Sequence, residues 1–428
     1  MKRFWKIALS LTAASVCGAI PFTHPLLASH NWRQNPEGIA VGTETPRLVY
    51  NLSEAKNSEN SPSSSRAIGQ NVPSAPDSLG EEMLKKIVQC VAVTLETPPQ
   101  QASQEALQAA SVQCLFQVVL LAPDGSIRPD ANERMLALVK LTGVSLPQPV
   151  REGQATVQLQ PVENQLLLSV PVTIAGQSES FLFDTGASNS MIDREIVQEL
   201  GLEGTAIPNE LLAYMVVGED CSEVNATLHT LPTIAIESAT VEGITGMGLP
   251  KTAIPGDMSG VIGLDFISGF DAIVNPQTLQ LQLLPPSKPP RDAIPLQGRL
   301  GVMTTHVRIN DRGPFTFLLD TGAELMVITQ NLATQLGLDG ENRAEAVEVR
   351  GFCGTELATK TRLDRVSLQQ HQQQNLEAVI LSPGVLEMLG VDGIVGQNFL
   401  RQYRQHWRFG DRNQLGFPDS GSLQLSPG

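Results

Sequence analysis

The chain has 428 residues, of which 41% are hydrophobic, and a formal net charge of −15. A chain of this length can form two or three domains with sizeable cores. The acidic balance and the lack of any Lys/Arg-rich run argue against a nucleic-acid partner, so the charge is better explained by solubility.

Residues 1–28 have the composition of an export signal. Lys2, Arg3 and Lys6 precede a run of mostly apolar and small residues over positions 7–20, which predicts a signal peptide. The alternative is an uncleaved membrane anchor, although the run is shorter than the roughly 20 apolar residues of a spanning helix. We therefore expect an exported protein, periplasmic or secreted, with a possible membrane tether through this segment.

Residues 29–148 divide into a linker and a helical module. Residues 29–80 are rich in Ser, Asn, Pro and Glu, which predicts a disordered linker. Over residues 81–148, apolar residues recur at spacings of three and four, which predicts a small helical module. Cys90 and Cys114 fall on its first two predicted helices, so a disulfide across a helical hairpin is expected. No residue of the module carries recognisable chemistry, and a removable pro-segment, a docking module and an accessory support are equally open.

The rest of the chain contains an internal duplication. Short alternating apolar segments between Gly, Pro and Asn predict a β-rich architecture. Residues 181–187 (FLFDTGA) recur 136 residues later as 317–323 (FLLDTGA), and each copy leads into a helix expected to begin near Asp193 or Thr329. Two copies of one domain are therefore predicted, at residues 155–284 and 291–418, joined by a stiff proline-rich spacer.

The duplicated segments resemble the aspartic proteases, the superfamily of pepsins and retroviral proteases. Both copies carry Asp-Thr-Gly-Ala, a helix and then an apolar-Gly segment, VIG at 261–263 and IVG at 394–396. Alanine after Asp-Thr-Gly and the near-retroviral size of the copies make the chain most similar to a retropepsin-like protease with two lobes fused in one chain. The resemblance covers residues 155–418. It implies a mainly β fold, with two pseudo-symmetric lobes of the acid-protease type after the helical module.

Two aspartates are the candidate catalytic pair. Two carboxylates that face each other cannot both ionise cheaply, so the pair holds one proton and can act as base and acid together. The resemblance implies that Asp184 and Asp320 activate a water for peptide-bond hydrolysis. It also implies that the threonines make interlocking hydrogen bonds beneath the pair and that the glycines present backbone amides to it; these supporting residues are Thr185, Gly186, Thr321 and Gly322.

The resemblance further implies a substrate-covering hairpin, or flap, in each lobe, at about residues 214–230 and 348–361. The candidate flap residues are Gly218, Cys221, Gly351, Cys353 and Gly354. Cys221 and Cys353 hold matching positions in the duplication, so we hypothesise a disulfide between the flaps that restrains or gates the cleft. The alternative is two free thiols on separate loops.

Several features bear on activity. Pepsins commonly have Ser or Thr at the positions of Ala187 and Ala323. Without that hydroxyl, each catalytic carboxylate loses a hydrogen bond that would favour its ionised form, so we expect a mildly acidic pH optimum. The next residue differs between the copies, Ser188 against Glu324. The six histidines show no metal-ligand spacing, so neither a metal nor a cofactor is expected.

Alternatives on the same scaffold are a peptide-binding protein without turnover and a zymogen controlled by the helical module. The dyad could also form between two chains. The short linker and the matched lobes favour pairing within one chain, so we expect a monomer that acts on a polypeptide substrate.

Overall fold

The computed structural model describes residues 5–6, 78–95, 98–99, 101–142, 148–212, 221, 224–338, 345–381 and 384–428. The predicted signal peptide apart from residues 5–6, the predicted linker up to residue 77, and Gly218 lie outside this range. Among the helices of the described residues, none has both the length and the apolar composition needed to cross a membrane.

The N-terminal region is helical. Its second helix begins at Ser103, whose side chain accepts a hydrogen bond from the Ala106 amide at 3.1 Å. The first helix packs against the second and third, and a disulfide between Cys90 and Cys114 joins the first two, as predicted. The elements are β1 (Trp5–Lys6), α1 (Ser78–Thr94), α2 (Gln104–Leu115), a π-helical turn (Phe116–Leu120) and α3 (Ala131–Thr142).

The first lobe is built from short strands. Its longer helix begins after Asp193, whose carboxylate accepts from the Glu195 amide at 3.1 Å, in agreement with the predicted helix start. The strands are β2 (Val150–Glu152), β3 (Ala155–Gln158), β4 (Gln160–Pro161), β5 (Leu168–Ile174), β6 (Gln177–Phe183), β7 (Met191–Asp193), β8 (Gly204–Ala206), β9 (Thr227–Thr230), β10 (Ile234–Ile236), β11 (Ala239–Glu242), β12 (Thr245–Leu249), β13 (Gly260–Ile262), β14 (Asp271–Asn275) and β15 (Gln280–Leu284). The helices are α4 (Arg194–Glu199), α5 (Asn209–Leu212), a 3-10 turn (Lys251–Ala253) and α6 (Leu264–Ile267).

The second lobe repeats this order with longer strands. Thr329 caps its first helix by accepting from the Leu332 amide at 3.2 Å, and Gly337 ends that helix in the left-handed region at φ 73°. The strands are β16 (Ile294–Arg299), β17 (Val302–Ile309), β18 (Arg312–Leu319), β19 (Met326–Thr329), β20 (Glu345–Gly351), β21 (Gly354–Leu368), β22 (His371–Leu381), β23 (Gly393–Val395), β24 (Tyr403–Phe409) and β25 (Ser420–Pro427). The helices are α7 (Gln330–Leu336), α8 (Val385–Met388) and α9 (Gln397–Leu400).

The two lobes share a sheet. Strands β3, β15 and β14 of the first lobe continue into β24, β25 and β16 of the second, and Ala272 lies opposite Trp407 where β14 meets β24. Lobe elements extend from Val150 to Pro427, past the predicted outer bounds at 155 and 418. The predicted fold class, mainly β with two pseudo-symmetric lobes after a small helical region, is confirmed.

Alternate side chains of the central strands belong to two different apolar clusters. On β6, Phe181 and Phe183 enter the core of the lobes, while Leu182 between them joins a second cluster. The same alternation recurs on β18, where Leu318 joins the second cluster. Since side chains alternate across a strand, these strands are buried on both faces.

Candidate active site

Each aspartate lies just beyond a buried strand and beside the apolar-Gly strand of its own lobe. Strand β6 pairs in parallel with β13, and the Asp184 amide donates to the Ile262 carbonyl at 3.1 Å. In the second lobe, β18 pairs in parallel with β23, and the Asp320 amide donates to the Val395 carbonyl at the same distance. The two halves of the site therefore have the same backbone frame.

Glycine in the apolar-Gly segments permits close packing of the backbone. A Cβ atom on Gly263 would lie 2.7 Å from the carbonyl carbon of Asn189. One on Gly396 would lie 2.3 Å from the Leu325 carbonyl oxygen. Both distances are shorter than real Cβ contacts, so only glycine fits at these positions.

The structure brings Thr185 and Thr321 together in a reciprocal set of hydrogen bonds. The Thr185 amide donates to Thr321 Oγ1 at 2.9 Å, and the Thr321 amide donates to Thr185 Oγ1 at 3.1 Å. Each hydroxyl in turn donates across the lobes, from Thr185 to the Leu319 carbonyl at 3.0 Å and from Thr321 to the Phe183 carbonyl at 2.9 Å. Four buried hydrogen bonds therefore join the two loops directly beneath the aspartates.

The structure also places both aspartates in one site. The Gly186 amide donates to Asp184 Oδ1 and the Gly322 amide donates to Asp320 Oδ1, each at 2.7 Å. A Cβ on Gly186 would lie 2.3 Å from Asp320 Cγ, and one on Gly322 would lie 2.4 Å from Asp184 Cγ. Each glycine thus binds the carboxylate of its own loop and lies against that of the other.

The electrostatics of this site favour a shared proton. Both aspartates are fully buried. Apart from the other carboxyl of the pair, no donor among the described residues is in hydrogen-bonding position to Asp184 Oδ2 or Asp320 Oδ2. Burial raises the pKa of both carboxyls, and the neighbouring Asp184 charge raises the pKa of Asp320 further. One carboxyl therefore stays protonated when the other ionises, which provides an acid and a base at one point.

The candidate flap of the second lobe is a tight hairpin. Strands β20 and β21 meet with Gly351 opposite Gly354, and Cys353 lies at the turn. A disulfide joins Cys353 to Cys221 of the first lobe, with a Cα–Cα distance of 4.5 Å, so the hypothesised pairing is confirmed. The matching hairpin of the first lobe falls mostly outside the described residues, as do residues 213–220 with Gly218.

Two carboxyl groups near the site make contacts that the sequence did not predict. Glu324 Oε1 accepts from the Leu166 amide of the first lobe at 2.9 Å, which adds a contact between the lobes. The buried carboxylate of Asp265 accepts from the Ser190 amide at 2.8 Å and hydroxyl at 2.7 Å, and burial raises its pKa to about 6. In the second lobe Asn398 holds the equivalent position and accepts from the backbone at 2.9 Å. The match of the two segments could have identified this pair, because both lie two residues after the glycine of the apolar-Gly segment.

The structure shows no sign of a metal centre in the described ranges. Groups of three or more His, Cys, Asp or Glu side chains that could hold an ion are absent from them.

Comparison with known proteins identifies two matching families. Residues 170–266 match a family described as "Aspartyl protease", and residues 305–402 match one described as "gag-polyprotein putative aspartyl protease". Among solved structures, a retropepsin-like aspartic protease from Rickettsia conorii is similar at 18% identity and a TM-score of 0.23, over 31% of this chain and 89% of that one. The comparison with curated proteins finds no match.

Proposed function

Because the chain belongs to the retropepsin-like aspartic protease family, with two lobes fused in one chain, we propose that it is an aspartic endopeptidase. The aspartyl protease families indicate a peptidase in general terms. The finer proposal is that Asp184 and Asp320 form the catalytic dyad.

One observation carries this assignment. Each loop's glycine lies against the other loop's carboxylate, so two aspartates from separate lobes share one buried site. Burying one ionised carboxylate costs several kcal/mol unless it is paired, and burying two costs more. Two buried carboxyls that face each other do not stabilise the fold, whereas acid–base catalysis uses this arrangement.

The proposed reaction uses a water bound between the outer oxygens of the two carboxyls. The ionised carboxyl takes a proton from this water as the water oxygen bonds to the peptide carbonyl carbon, and the protonated carboxyl donates its proton to the carbonyl oxygen. The resulting diol then expels the amine. The protonated carboxyl donates its proton to the amine nitrogen as the C–N bond breaks, and the ionised carboxyl takes the proton of one diol hydroxyl. The products are a carboxylic acid and an amine, and the dyad is again singly protonated.

The substrate we propose is an extended polypeptide. A peptide backbone can add as a strand at the outer edge of β20, where Trp5 and Lys6 already pair in parallel with Val349 and Arg350. Leu182, Leu318, Val261 and Ile394 belong to the same apolar cluster as the hairpin residues Val349 and Phe352, so the surroundings of the proposed substrate are apolar. We therefore expect apolar residues on either side of the cleaved bond.

A monomer should suffice for this activity. One chain supplies both aspartates, and the sheet shared through β14 and β24 joins the lobes by backbone hydrogen bonds. Sedimentation of an active sample tests this, and activity confined to dimers would contradict it.

The two disulfides indicate a location outside the cytosol. We propose export through residues 1–28, with a possible membrane tether and no nucleic-acid partner.

The direct test is digestion of a peptide library by the natural chain and by Asp184→Asn and Asp320→Asn. The amide keeps the shape of the carboxyl but cannot carry its charge, so each change should lower cleavage about 100- to 10,000-fold. Asp292→Asn, which changes an exposed aspartate, is the matched control. Equal cleavage by all four proteins would refute the mechanism. If the natural chain and the variants all bind peptide equally well and none of them cleaves it, the result would instead favour a peptide-binding protein.

We expect the activity to peak in mildly acidic solution. Ala187 and Ala323 offer no hydroxyl to the carboxylates, and burial raises the pKa of both dyad members. The singly protonated pair therefore persists to higher pH than for ordinary carboxyls. A rate profile of the natural chain from pH 3 to 8 tests this, and a peak well below pH 4 would contradict it.

A further inference from the structure

Four apolar residues that neighbour the two aspartates in the sequence are entirely buried. Leu182 and Leu318 lie two residues before the aspartates, and Ala187 and Ala323 lie three residues after them; all four are 0% exposed. We call the surface formed by these residues and by Val261 and Ile394 the cleft face. An apolar surface that is to receive a peptide must be open to solvent or covered by something else.

The helical module belongs to the same apolar cluster as the cleft face. Buried side chains from all of its helical elements join the same cluster as the cleft face and the hairpin tip at Phe352 and Cys353. Examples are Ile87 of α1, Val119 of the π-helical turn and Leu138 of α3.

The module touches both lobes. Helix α2 packs against α5 of the first lobe, which precedes the flap segment there. The Ile127 amide donates to the carbonyl of Met388 in the second lobe at 2.9 Å, at the end of α8 and just before the loop that leads to β23. The module therefore contacts α5 in the first lobe and the end of α8 in the second lobe.

The opposite end of the pseudo-symmetric site closes without the module. There, Arg350 of the β20–β21 hairpin donates to the Thr252 carbonyl of the first lobe at 2.6 Å. Thr252 lies in the turn that matches Val385–Met388 in the duplication, and at that matching place the module's Ile127 makes the contact instead. The module thus fills the end of the site that the hairpin does not close.

We propose that the helical module is a built-in inhibitor that occupies the substrate cleft and holds the enzyme in a latent state. This inference rests on the proposed endopeptidase function only where cleavage rates are measured. A substrate peptide and the module compete for the same apolar surface, so peptide binding requires that the module leaves first. The observed rate is then reduced by the fraction of molecules in which the module has opened.

A matched pair of substitutions within the module tests this. Val119 is 1% exposed and Val93 is 85% exposed, so Val119→Asp disrupts the packing of the module while Val93→Asp places the same charge in solvent. We expect Val119→Asp to raise the initial rate of peptide cleavage about tenfold or more, with Val93→Asp unchanged. Adding Asp320→Asn to Val119→Asp should abolish the gained activity.

Hydrogen exchange separates failure of this inference from failure of the proposed function. If the module covers the cleft, amides around 182–187 and 318–323 exchange faster in Val119→Asp, while those of β24 and β25 do not change. Faster exchange without any peptide cleavage supports the covering module and counts against the endopeptidase. An unchanged or lower rate together with unchanged exchange would overturn the inhibitory role and leave the module as a support.

A second variant guards against misfolding of Val119→Asp. A recognition sequence for a site-specific protease is inserted between residues 142 and 148, and the folded chain is then cut. Cutting makes the contact between module and lobes bimolecular, so its occupancy falls on dilution. We expect peptide cleavage per molecule to rise as the cut sample is diluted, and not in the uncut sample. Activity independent of dilution in both samples would contradict the inhibitor.

Discussion

The hydroxyls of Thr185 and Thr321 should be essential for joining the two lobes, and Thr185→Val isolates their contribution. Valine has nearly the shape of threonine, so the change removes the hydroxyl and little else. The Thr185 hydroxyl donates to the Leu319 carbonyl and accepts from the Thr321 amide, and both partners are buried. The substitution therefore leaves one buried acceptor and one buried donor without a partner.

The magnitude follows from these two groups. Each buried polar group left unpaired costs about 1–3 kcal/mol, so Thr185→Val should lower the free energy of unfolding by about 2–6 kcal/mol. By the pseudo-symmetry, Thr321→Val orphans the Thr185 amide and the Phe183 carbonyl and should cost a similar amount. Displacing the loop by about 1 Å should lower kcat about 100-fold.

Urea unfolding with the disulfides intact measures the first effect, and steady-state cleavage of a peptide identified from the library measures the second. Thr185→Ser is the control, because it keeps the hydroxyl and should retain most of the stability and of kcat. Stability within about 1 kcal/mol of the natural chain in both valine variants would refute the reasoning, since it would mean that the orphaned groups find other partners.

Three further predictions follow from the site and its disulfides. Gly322→Ala should remove activity while the fold persists, because the alanine Cβ would lie 2.4 Å from Asp184 Cγ. Circular dichroism tests the fold and a cleavage assay tests the activity. A normal kcat would contradict the prediction. Cys353→Ser should lower the free energy of unfolding by about 5 kcal/mol, and Cys90→Ser by about 3.5 kcal/mol, because the two disulfides close loops of 132 and 24 residues. Urea unfolding of both variants gives the order. A reversed order would count against the loop-entropy explanation. Asp265→Asn should flatten the pH dependence of stability. Burial raises the folded-state pKa of Asp265 to about 6, so the natural chain should lose about 2 kcal/mol of stability as pH rises from 4 to 7.5. Superimposable profiles of unfolding midpoint against pH for the two proteins would show that Asp265 does not titrate in this range.

The candidate site can be proposed from the sequence alone because its determinants are local. Residues 181–187 and their copy, residues 317–323, each contain the end of a strand, the aspartate and the closely packed glycine. The cysteine pairs could be predicted because one lies on adjacent helices and the other holds matching positions in the duplication. These features need no knowledge of distant contacts.

The contacts between lobes and module are not predictable in the same way. The apolar run around Leu182 indicates burial on both faces of its strand, but it does not indicate what covers the outer face. The pairing of Ala272 with Trp407 likewise leaves no local pattern, because strand partners so far apart in sequence are selected by tertiary packing. The role of the helical module therefore emerges only from the fold.

Fusion of the two lobes allows the site to be asymmetric. In a dimer of identical chains, each residue of one half has the same residue opposite it across the two-fold axis. Here Asp265 matches Asn398, and Arg350 closes one end of the site onto Thr252. In the second lobe, the module's Ile127 contacts Met388 instead, so the two ends of the site are closed by different elements. The divergence between the copies is therefore as relevant to control of the site as their shared Asp-Thr-Gly loops are to its chemistry.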